Sequence, residues 1–125
     1  MLGTGLWDAY DTGRVAPYVV GGWYAAPDPA KRQGFLLGYK STYNEEPPRL
    51  TTLAYDATAL AAALAKRGAR FDQAALTNAN GFAGLDGIFR LKANGEVERG
   101  LAILEITSLG SDVIDSAAPS FVGVQ

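Results

Sequence analysis

One stretch of the sequence repeats apolar residues at alternating spacings of three and four, and this repeat constrains the fold more than any other feature. Its members are Leu50, Leu53, Ala57, Leu60 and Leu64. The spacing predicts an α-helix with one apolar face. Lys66 and Arg67 suit the last turn, and Gly68 is well placed to end the helix. Because such a face must be buried, the fold has to place a sheet or another helix against it.

Two strands and a helix are predicted before this repeat. The first strand ends near Gly3 and Gly5, where the backbone can turn sharply or approach another group closely, and a loop follows. The second strand runs from Tyr18 to Ala26 and is rich in Val, Trp and Tyr. Asp28 and Pro29 predict the start of a helix over 29–44. Its apolar face is formed by Phe35, Leu36, Tyr39 and Tyr43.

A short helix, a hairpin and a strand are predicted after the repeat. Residues 71–77 form the short helix with Asp72 as its N-cap. A glycine-rich connector leads to a hairpin over 87–100, which turns at Asn94-Gly95. Residues 101–106 are a buried strand, and the tail from Ser108 is small and polar and is expected to be loose at its end. The order of elements indicates a mixed α/β fold whose strands are too few to cover its helices.

Composition excludes several classes of function. The chain has 125 residues, no His, no Cys and a net charge of −2. Thiol nucleophiles, Ser-His triads and Cys/His zinc sites are therefore absent from it, and the scattered basic residues make nucleic acid an unlikely partner. Nothing in the spacing of the 13 carboxylates forces two of them into one cleft, so no catalytic residue, metal ligand or cofactor is predicted, and the chain is interpreted as a non-enzyme.

The aromatic residues are the best candidates for contacts with a small ligand. For Trp7, which the sequence places in a loop, a pocket and a packing role are equally favoured. Trp23 is predicted to be a core residue of its strand. Tyr55 lies off the leucine repeat of the long helix, and core packing is favoured over a cleft for it.

Four motifs, in order along the chain, resemble the C-terminal part of type 1 periplasmic binding proteins. They are "LGTGLWD", "GGWYAAPDP", "PPRLTTLAYDATALAAAL" and "GFAGLDGIFRLKANGEVERGLAILEI". The resemblance runs from Leu2 to about Ile106, and "GFAGLDGIFR" followed by "NGEVER" is its most specific part. Within the family, the chain is most similar to the leucine-binding-protein-like group that includes penicillin-binding protein activators.

The resemblance implies a fold of two α/β lobes with a ligand cleft between them. Residues 1–27 would supply a strand of the second lobe and a crossover. Residues 28–93 would return to the first lobe as helices, and residues 94–125 would form the hairpin, the return strand and the tail. The strands missing from the helix faces would then lie upstream, because a family member is about three times as long as this chain.

The resemblance also implies a function. The chain would be a fragment of a periplasmic solute-binding protein for an amino acid or a similar small polar ligand, with an ABC permease as partner. The alternative is an interaction protein that activates a penicillin-binding protein in cell-wall synthesis. An exposed sheet edge would favour a homodimer. The start of the chain has no signal peptide, and no run reaches the roughly 20 apolar residues of a membrane span.

Five residues are predicted to bind the ligand if the resemblance holds. Thr4, Gly5 and Trp7 match a cleft-facing loop by their position. Asp8 is the candidate partner for the amine of an amino-acid ligand. Tyr55, which begins the helix motif "YDA", completes the set.

Overall fold

The structure is a computed structural model that describes residues 1–10, 12–66, 68 and 71–121. These residues form two compact units, one from Met1–Asp28 with Leu101–Ala118 and the other from Pro29–Gly100 with the residues that follow Ala118. In chain order, the elements are β1 (Leu2–Gly3), a 3₁₀ helix (Gly5–Ala9), α1 (Thr12–Val15), a 3₁₀ helix (Pro17–Val19), β2 (Trp23–Ala26), α2 (Pro29–Tyr43), α3 (Thr51–Lys66), α4 (Gln73–Leu76), β3 (Phe82–Gly84), β4 (Gly87–Leu91), β5 (Val97–Arg99), β6 (Ala102–Thr107) and β7 (Gly110–Asp115).

The first unit is built on a four-stranded sheet with the order β1-β2-β6-β7. Strand β1 runs parallel to β2, and the other neighbours are antiparallel. Because side chains alternate across a strand, Tyr24 and Ala26 of β2 share one face with Leu104 of β6. This face is the core of the unit, and it also contains Val19, Ala102 and Ile106. The segment that connects β1 to β2 covers this face through Trp7 and Ala16.

Helix α1 lies very close to strand β6. A Cβ atom added to Gly13 of α1 would be 1.9 Å from the carbonyl oxygen of Thr107, so only glycine fits there. Two backbone hydrogen bonds add to this packing, from Gly21 N to Ile106 O (2.8 Å) and from Ile106 N to Gly22 O (2.9 Å). The loop before β2 is thereby fixed to the end of β6.

The second unit combines helices α2, α3 and α4 with a three-stranded sheet of order β3-β4-β5. The predicted hairpin is present between β4 and β5. Its turn is closed by bonds from Gly95 N to Lys92 O (3.0 Å) and from Lys92 N to Glu96 O (2.9 Å). Gly95 has a φ of +88°, whereas Asn94 keeps a negative φ, so the turn needs glycine at one position only.

Two buried carboxylates attach the turn between β3 and β4 to helix α3. Asp56 of α3 is 4% exposed and accepts hydrogen bonds from the backbone N–H groups of Leu85 (2.7 Å) and Asp86 (3.3 Å). Asp86 is 1% exposed and accepts from the hydroxyl of Thr52 (2.9 Å) and from Arg49 (3.3 Å). Asp56 is hydrogen-bonded through both of its carboxylate oxygens, whereas the buried Oδ1 atom of Asp86 has no hydrogen-bond partner among the described residues.

The helix predictions are largely confirmed. Helix α2 begins at Pro29 as expected and ends at Tyr43. The next residue, Asn44, still donates to Lys40 O, but its φ of 56° terminates the helix before the prolines. The cap of α4 is present, because Asp72 accepts a hydrogen bond from Ala75 N (2.9 Å). Helix α3 ends at Lys66, and the predicted place of Arg67 in its last turn lies outside the described residues.

The leucine repeat of α3 is only partly buried. Leu64 is 6% exposed, but Leu53 is 38% exposed and Leu50 lies before the helix at 71% exposure. The buried positions of α3 are Thr52, Asp56 and Leu64, because the helix turns its polar contacts rather than its leucines toward the turn at Asp86. None of the residues of α2 is buried.

Three strand and loop predictions were wrong. Residues 17–19 form a 3₁₀ helix and β2 begins only at Trp23, because Gly21 has a φ of +81° that breaks the strand. The expected loop after Gly3 contains a 3₁₀ helix and α1. The glycine-rich connector contains β3, which pairs with β4. The segment after Ser108 also contains a strand that was not predicted, β7, which pairs along β6.

Replacing Asp56 by Ala is expected to lower the free energy of unfolding by about 2–4 kcal/mol, because two buried backbone N–H groups would lose their acceptor. Urea denaturation monitored by circular dichroism measures this loss. The matched control is Asp72→Ala, which removes an exposed carboxylate that also accepts a backbone N–H and should cost about 1 kcal/mol. Equal losses for the two variants would contradict a structural role for the buried carboxylate.

Glu98 is expected to titrate at a lower pH than an ordinary glutamate. Hydrogen bonds from Lys92 and then Arg90 lower the pKa of its carboxyl. A carboxyl with a lowered pKa stabilises the fold above its unfolded pKa, and that stabilisation is lost as the pH falls through the folded pKa. Carboxyl ¹³C NMR should show the pKa of Glu98 moving up in Lys92→Met and unchanged in Lys40→Met. An unchanged pKa in Lys92→Met would contradict the ion pair.

Candidate functional site

Four of the five predicted ligand-binding residues lie together directly after strand β1. Thr4 is the N-cap residue of the 3₁₀ helix Gly5–Ala9, and its carbonyl oxygen accepts from Trp7 N at 3.0 Å. The hydroxyl of Thr4 makes no capping hydrogen bond and the residue is exposed. Gly5 is also exposed, and a Cβ atom there would lie 3.3 Å from Ala25 O. The helix therefore presents the side of Thr4 and Gly5 to solvent.

The side chain of Trp7 packs against the backbone of Gly3 and Gly22. A Cβ atom on Gly3 would be 2.4 Å from its ring, and one on Gly22 would be 3.1 Å from it. The ring also meets Tyr24 edge to face, with 6.0 Å between the centroids. The hydroxyl of Thr12 donates to Trp7 O at 3.0 Å. Trp7 is thus half-buried and fixes the loop against the sheet.

Asp8 is the charged member of the set. It lies in the first turn of the same 3₁₀ helix and is half-buried. Its neighbours Leu6 and Tyr10 are each 72% exposed. A carboxylate beside exposed apolar side chains has the chemistry to receive an ammonium group. Among the described residues, no group of three or more acidic side chains could hold a metal ion.

Tyr55 belongs to the second unit, apart in the chain from the other four. Its ring packs edge to face on Phe35 with 5.2 Å between centroids, but the residue is 51% exposed. The preference for core packing was therefore wrong. Tyr55 instead lines an open groove of ≈ 590 Å³ between α2 and α3, together with Phe35, Tyr39 and Tyr43.

Trp23 also differs from its prediction. It is 47% exposed, while the next residue, Tyr24, is 3% exposed. Alternation along β2 sends one aromatic ring into the core and the other out of it, and the hydroxyl of Tyr24 finds a partner in Ser111 at 2.9 Å. The indole N–H of Trp23 donates to Glu105 at 2.8 Å.

A second cavity of the second unit brings a buried carboxylate to a partly apolar lining. Its volume is ≈ 400 Å³, and its lining includes Asp56, Asn78, Leu60 and Phe89. The two carboxylate oxygens of Asp56 accept hydrogen bonds from the backbone N–H groups of residues 85 and 86, so the role of Asp56 is structural. Sequence reasoning missed this role of Asp56 and the role of Asp86. Gly84 and Gly87 around Asp86 were the available signal for a tight turn, because Gly and Asp favour turns.

Comparison with solved structures finds several proteins with a similar fold. A protein described as a branched-chain amino acid ABC transporter from Rhodospirillum rubrum matches with a TM-score of 0.72 and 22% identity over 90% of this chain and 36% of its own. A solute-binding protein of an ABC transporter from R. palustris, solved with benzoate, matches with a TM-score of 0.55 and 21% identity over 93% of this chain and 34% of its own. A leucine-binding protein from Thermotoga maritima matches with a TM-score of 0.51 and 24% identity over 83% of this chain and 33% of its own.

No protein-family model matches the sequence, and a comparison with curated proteins finds no relative. Within the described part of the chain, no helix has the length and apolar character needed to cross a membrane. The identities to the solved structures are all below 25%, so the likeness concerns the fold. The chain spans about a third of the length of these proteins, and it has part of the type 1 periplasmic-binding-protein fold.

Proposed function

We propose that this chain is part of a solute-binding protein for an amino acid or a similar small polar ligand, associated with ABC transport in the periplasm. The observation that carries the proposal is the TM-score of 0.72 to the protein from R. rubrum over 90% of the chain. The similar proteins from R. palustris and T. maritima are also named for solute binding rather than for catalysis. A role without enzymatic chemistry agrees with the lack of His and Cys in the sequence.

The position of the candidate loop supports a ligand-binding role. In open sheets with parallel strands, ligands bind outside the carboxyl ends of the strands. Strand β1 is parallel to β2 and ends at Gly3, and Thr4, Gly5, Trp7 and Asp8 follow immediately. A ligand bound after the end of β1 would contact the hydroxyl of Thr4, the exposed backbone at Gly5 and the carboxylate of Asp8. Trp7 would support the loop by its packing against the sheet.

The proposed roles follow from the chemistry of each group. Asp8 is proposed to take the ammonium group of a zwitterionic ligand, because a charge-assisted hydrogen bond to a carboxylate is stronger than one between neutral groups. Tyr55 is proposed as a ligand contact of the second unit, through the exposed part of its ring. The carboxylate of the ligand would be bound by residues of the longer protein, since unit 1 contains one arginine, Arg14, and no lysine.

The first experiment is an immunoblot of the source cells with an antibody raised against this chain. A native product of about three times 13.2 kDa agrees with the lengths of the similar structures and supports a two-lobed protein. A native product of 13.2 kDa would refute the proposal in its present form. In that case, a homodimer through a sheet edge would be the next arrangement to test, by light scattering of the purified chain.

Asp8→Asn is expected to weaken amino-acid binding by the native product by about tenfold or more, because the loss of one charge-assisted hydrogen bond corresponds to roughly 1.5–3 kcal/mol. Isothermal titration with leucine, and then with the other natural amino acids, measures the change. Benzoate is the contrasting probe, because it has no ammonium group and its affinity should not fall.

Asp112→Asn is the matched control, since it removes an exposed carboxylate of the same unit on strand β7. Equal weakening in both variants would contradict the assignment of Asp8. A native product that binds no amino acid and no benzoate, but copurifies with a penicillin-binding protein, would favour the activator function instead.

A further inference from the structure

Two asparagines of the chain are followed by glycine, and the structure places them in different surroundings. The pairs are Asn80-Gly81, before strand β3, and Asn94-Gly95, in the hairpin turn between β4 and β5. Because glycine has no Cβ atom, its backbone nitrogen is open to approach by the preceding side chain. In such a pair, this nitrogen can attack the Cγ atom of the asparagine and close a succinimide ring. Both pairs are therefore candidates for a covalent change that needs no enzyme.

The hairpin turn holds the side chain of Asn94 in an arrangement that favours this attack. The Oδ1 atom of Asn94 accepts a hydrogen bond from the backbone N–H of Glu96 at 3.0 Å. An asparagine side chain that is bonded two residues further on lies along the intervening residue, which here is Gly95. When the nitrogen of Gly95 adds to Cγ, negative charge develops on Oδ1. A donor that already points at this atom stabilises the charge.

The surroundings of Gly95 leave room for the ring. Asn94 and Gly95 are both exposed, and apart from its chain neighbours no atom of the described residues lies within 4 Å of the place that a Cβ atom of Gly95 would occupy. The hydrogen bond from Gly95 N to Lys92 O, at 3.0 Å, has to open before the nitrogen can react. Because this bond lies at the surface, water can replace it.

The pair Asn80-Gly81 lacks both features. The side chain of Asn80 makes no hydrogen bond within the described part of the chain, so no donor there points at its Oδ1 atom. A Cβ atom on Gly81 would be 2.5 Å from Phe89 O and 2.9 Å from the ring of Phe121. The peptide unit of Gly81 is thus packed on two neighbours, and its rotation toward Asn80 would displace them.

Asn78 has the hydrogen bond without the glycine. Its Oδ1 atom accepts from Asn80 N at 2.9 Å, as the Oδ1 atom of Asn94 does from Glu96 N. The next residue is Ala79, whose Cβ atom restricts the backbone and crowds the ring. Among the asparagines of the described residues, Asn94 alone combines a hydrogen-bonded side chain with a following glycine.

We propose that Asn94 is a site of spontaneous modification, at which the hairpin turn converts the asparagine into isoaspartate and aspartate. In the first step, the bond between Gly95 N and Cγ forms, the bond between Cγ and the side-chain nitrogen breaks, and ammonia leaves with the proton of Gly95. In the second step, water opens the succinimide. Attack of water on the backbone carbonyl carbon gives isoaspartate, and attack on Cγ gives aspartate. Neither step is an oxidation or a reduction.

The two products have different effects on the hairpin. Aspartate keeps the course of the backbone and an oxygen that can accept from Glu96 N. Isoaspartate carries the main chain through Cβ and Cγ, which lengthens the turn and displaces the hydrogen bond from Lys92 N to Glu96 O, at 2.9 Å. Both products add a negative charge beside Glu96. An enzyme that methylates isoaspartate is the class of partner that would recognise the altered turn.

This inference concerns a turn of the second unit, and it holds whichever solute the protein binds. A failure of the binding test at Asp8 therefore leaves it unaffected. Conversely, an unmodified Asn94 would leave the proposed ligand site after β1 unaffected.

Incubation of the purified chain at mildly alkaline pH, followed by peptide mass spectrometry, tests the proposal. In the folded chain, Asn94 should convert at least about tenfold faster than Asn80, because a donor that points at a developing oxyanion contributes a factor of this size or more. In guanidinium chloride the turn and the packing of Gly81 are lost, so the two pairs should convert at similar rates. Labelling with an isoaspartate methyltransferase identifies the isoaspartate product.

Matched variants locate the reaction and separate its two effects. Asn94→Gln should abolish the isoaspartate label over the same incubation, and Asn80→Gln should leave it unchanged. Asn94→Asp adds the charge but keeps the backbone, so hydrogen exchange at the amide of Lys92 should stay as in the parent chain. The isoaspartate fraction of the incubated chain should exchange this amide severalfold faster. Circular dichroism confirms that each variant is folded.

Three results would overturn the proposal. The first is conversion of Asn80 at least as fast as that of Asn94 in the folded chain. The second is the same ratio of the two rates in the folded and the unfolded chain, which would show that the turn has no influence. The third is an undiminished isoaspartate label in folded Asn94→Gln, which would place the modification at another residue.

Discussion

The hydrogen bonds from the turn at Leu85 and Asp86 to the carboxylate of Asp56 are the contact on which the second unit depends. In this unit α2 buries none of its residues, whereas α3 buries Thr52, Asp56 and Leu64. The carboxylate approaches so closely that a Cβ atom at Gly84 would be 2.3 Å from its Oδ2 atom. A side chain at position 84 would therefore clash with the carboxylate of Asp56 and disrupt its hydrogen bonds to the turn at residues 85 and 86. Asp86 extends the contact to Thr52 and Arg49, which lie at the start of the same helix.

The sequence predicts best the features that depend on neighbouring residues. Helices α2 and α4 begin where their caps were expected, because a cap acts within one helical turn. The hairpin at Gly95 is equally local. Strand β7 was missed, since its polar sequence pairs along β6 and becomes a strand only through that partner. The burial of Asp56 was missed for the same reason, because its partners at residues 85 and 86 are about 30 positions away in the chain.

In the candidate site, too, the features that depend on neighbouring residues were predicted and those that depend on distant residues were not. Gly3 was recognised as a place of sharp turning or close approach, and the ring of Trp7 lies against it. Which aromatic side chain of β2 enters the core could not be predicted, because both faces of a strand offer an aromatic residue and the choice depends on the register with β6. The four candidate residues between Thr4 and Asp8 lie together because they are close in the chain, whereas Tyr55 belongs to the other unit.

The first unit is formed by two segments of the chain that are separated by residues 29–100, and this separation affects the order of folding during synthesis. Strand β2 pairs with β6, and Trp23 is separated from its partner Glu105 by 82 positions. Closing so long a loop is slow when the intervening residues are unfolded. Residues 29–100 leave the ribosome before β6 does, and they contain the three helices and the three-stranded sheet of the other unit. If residues 29–100 fold first, the two ends of this segment come close together. Strands β2 and β6 can then pair, and the sheet of the first unit is the last part of the protein to form.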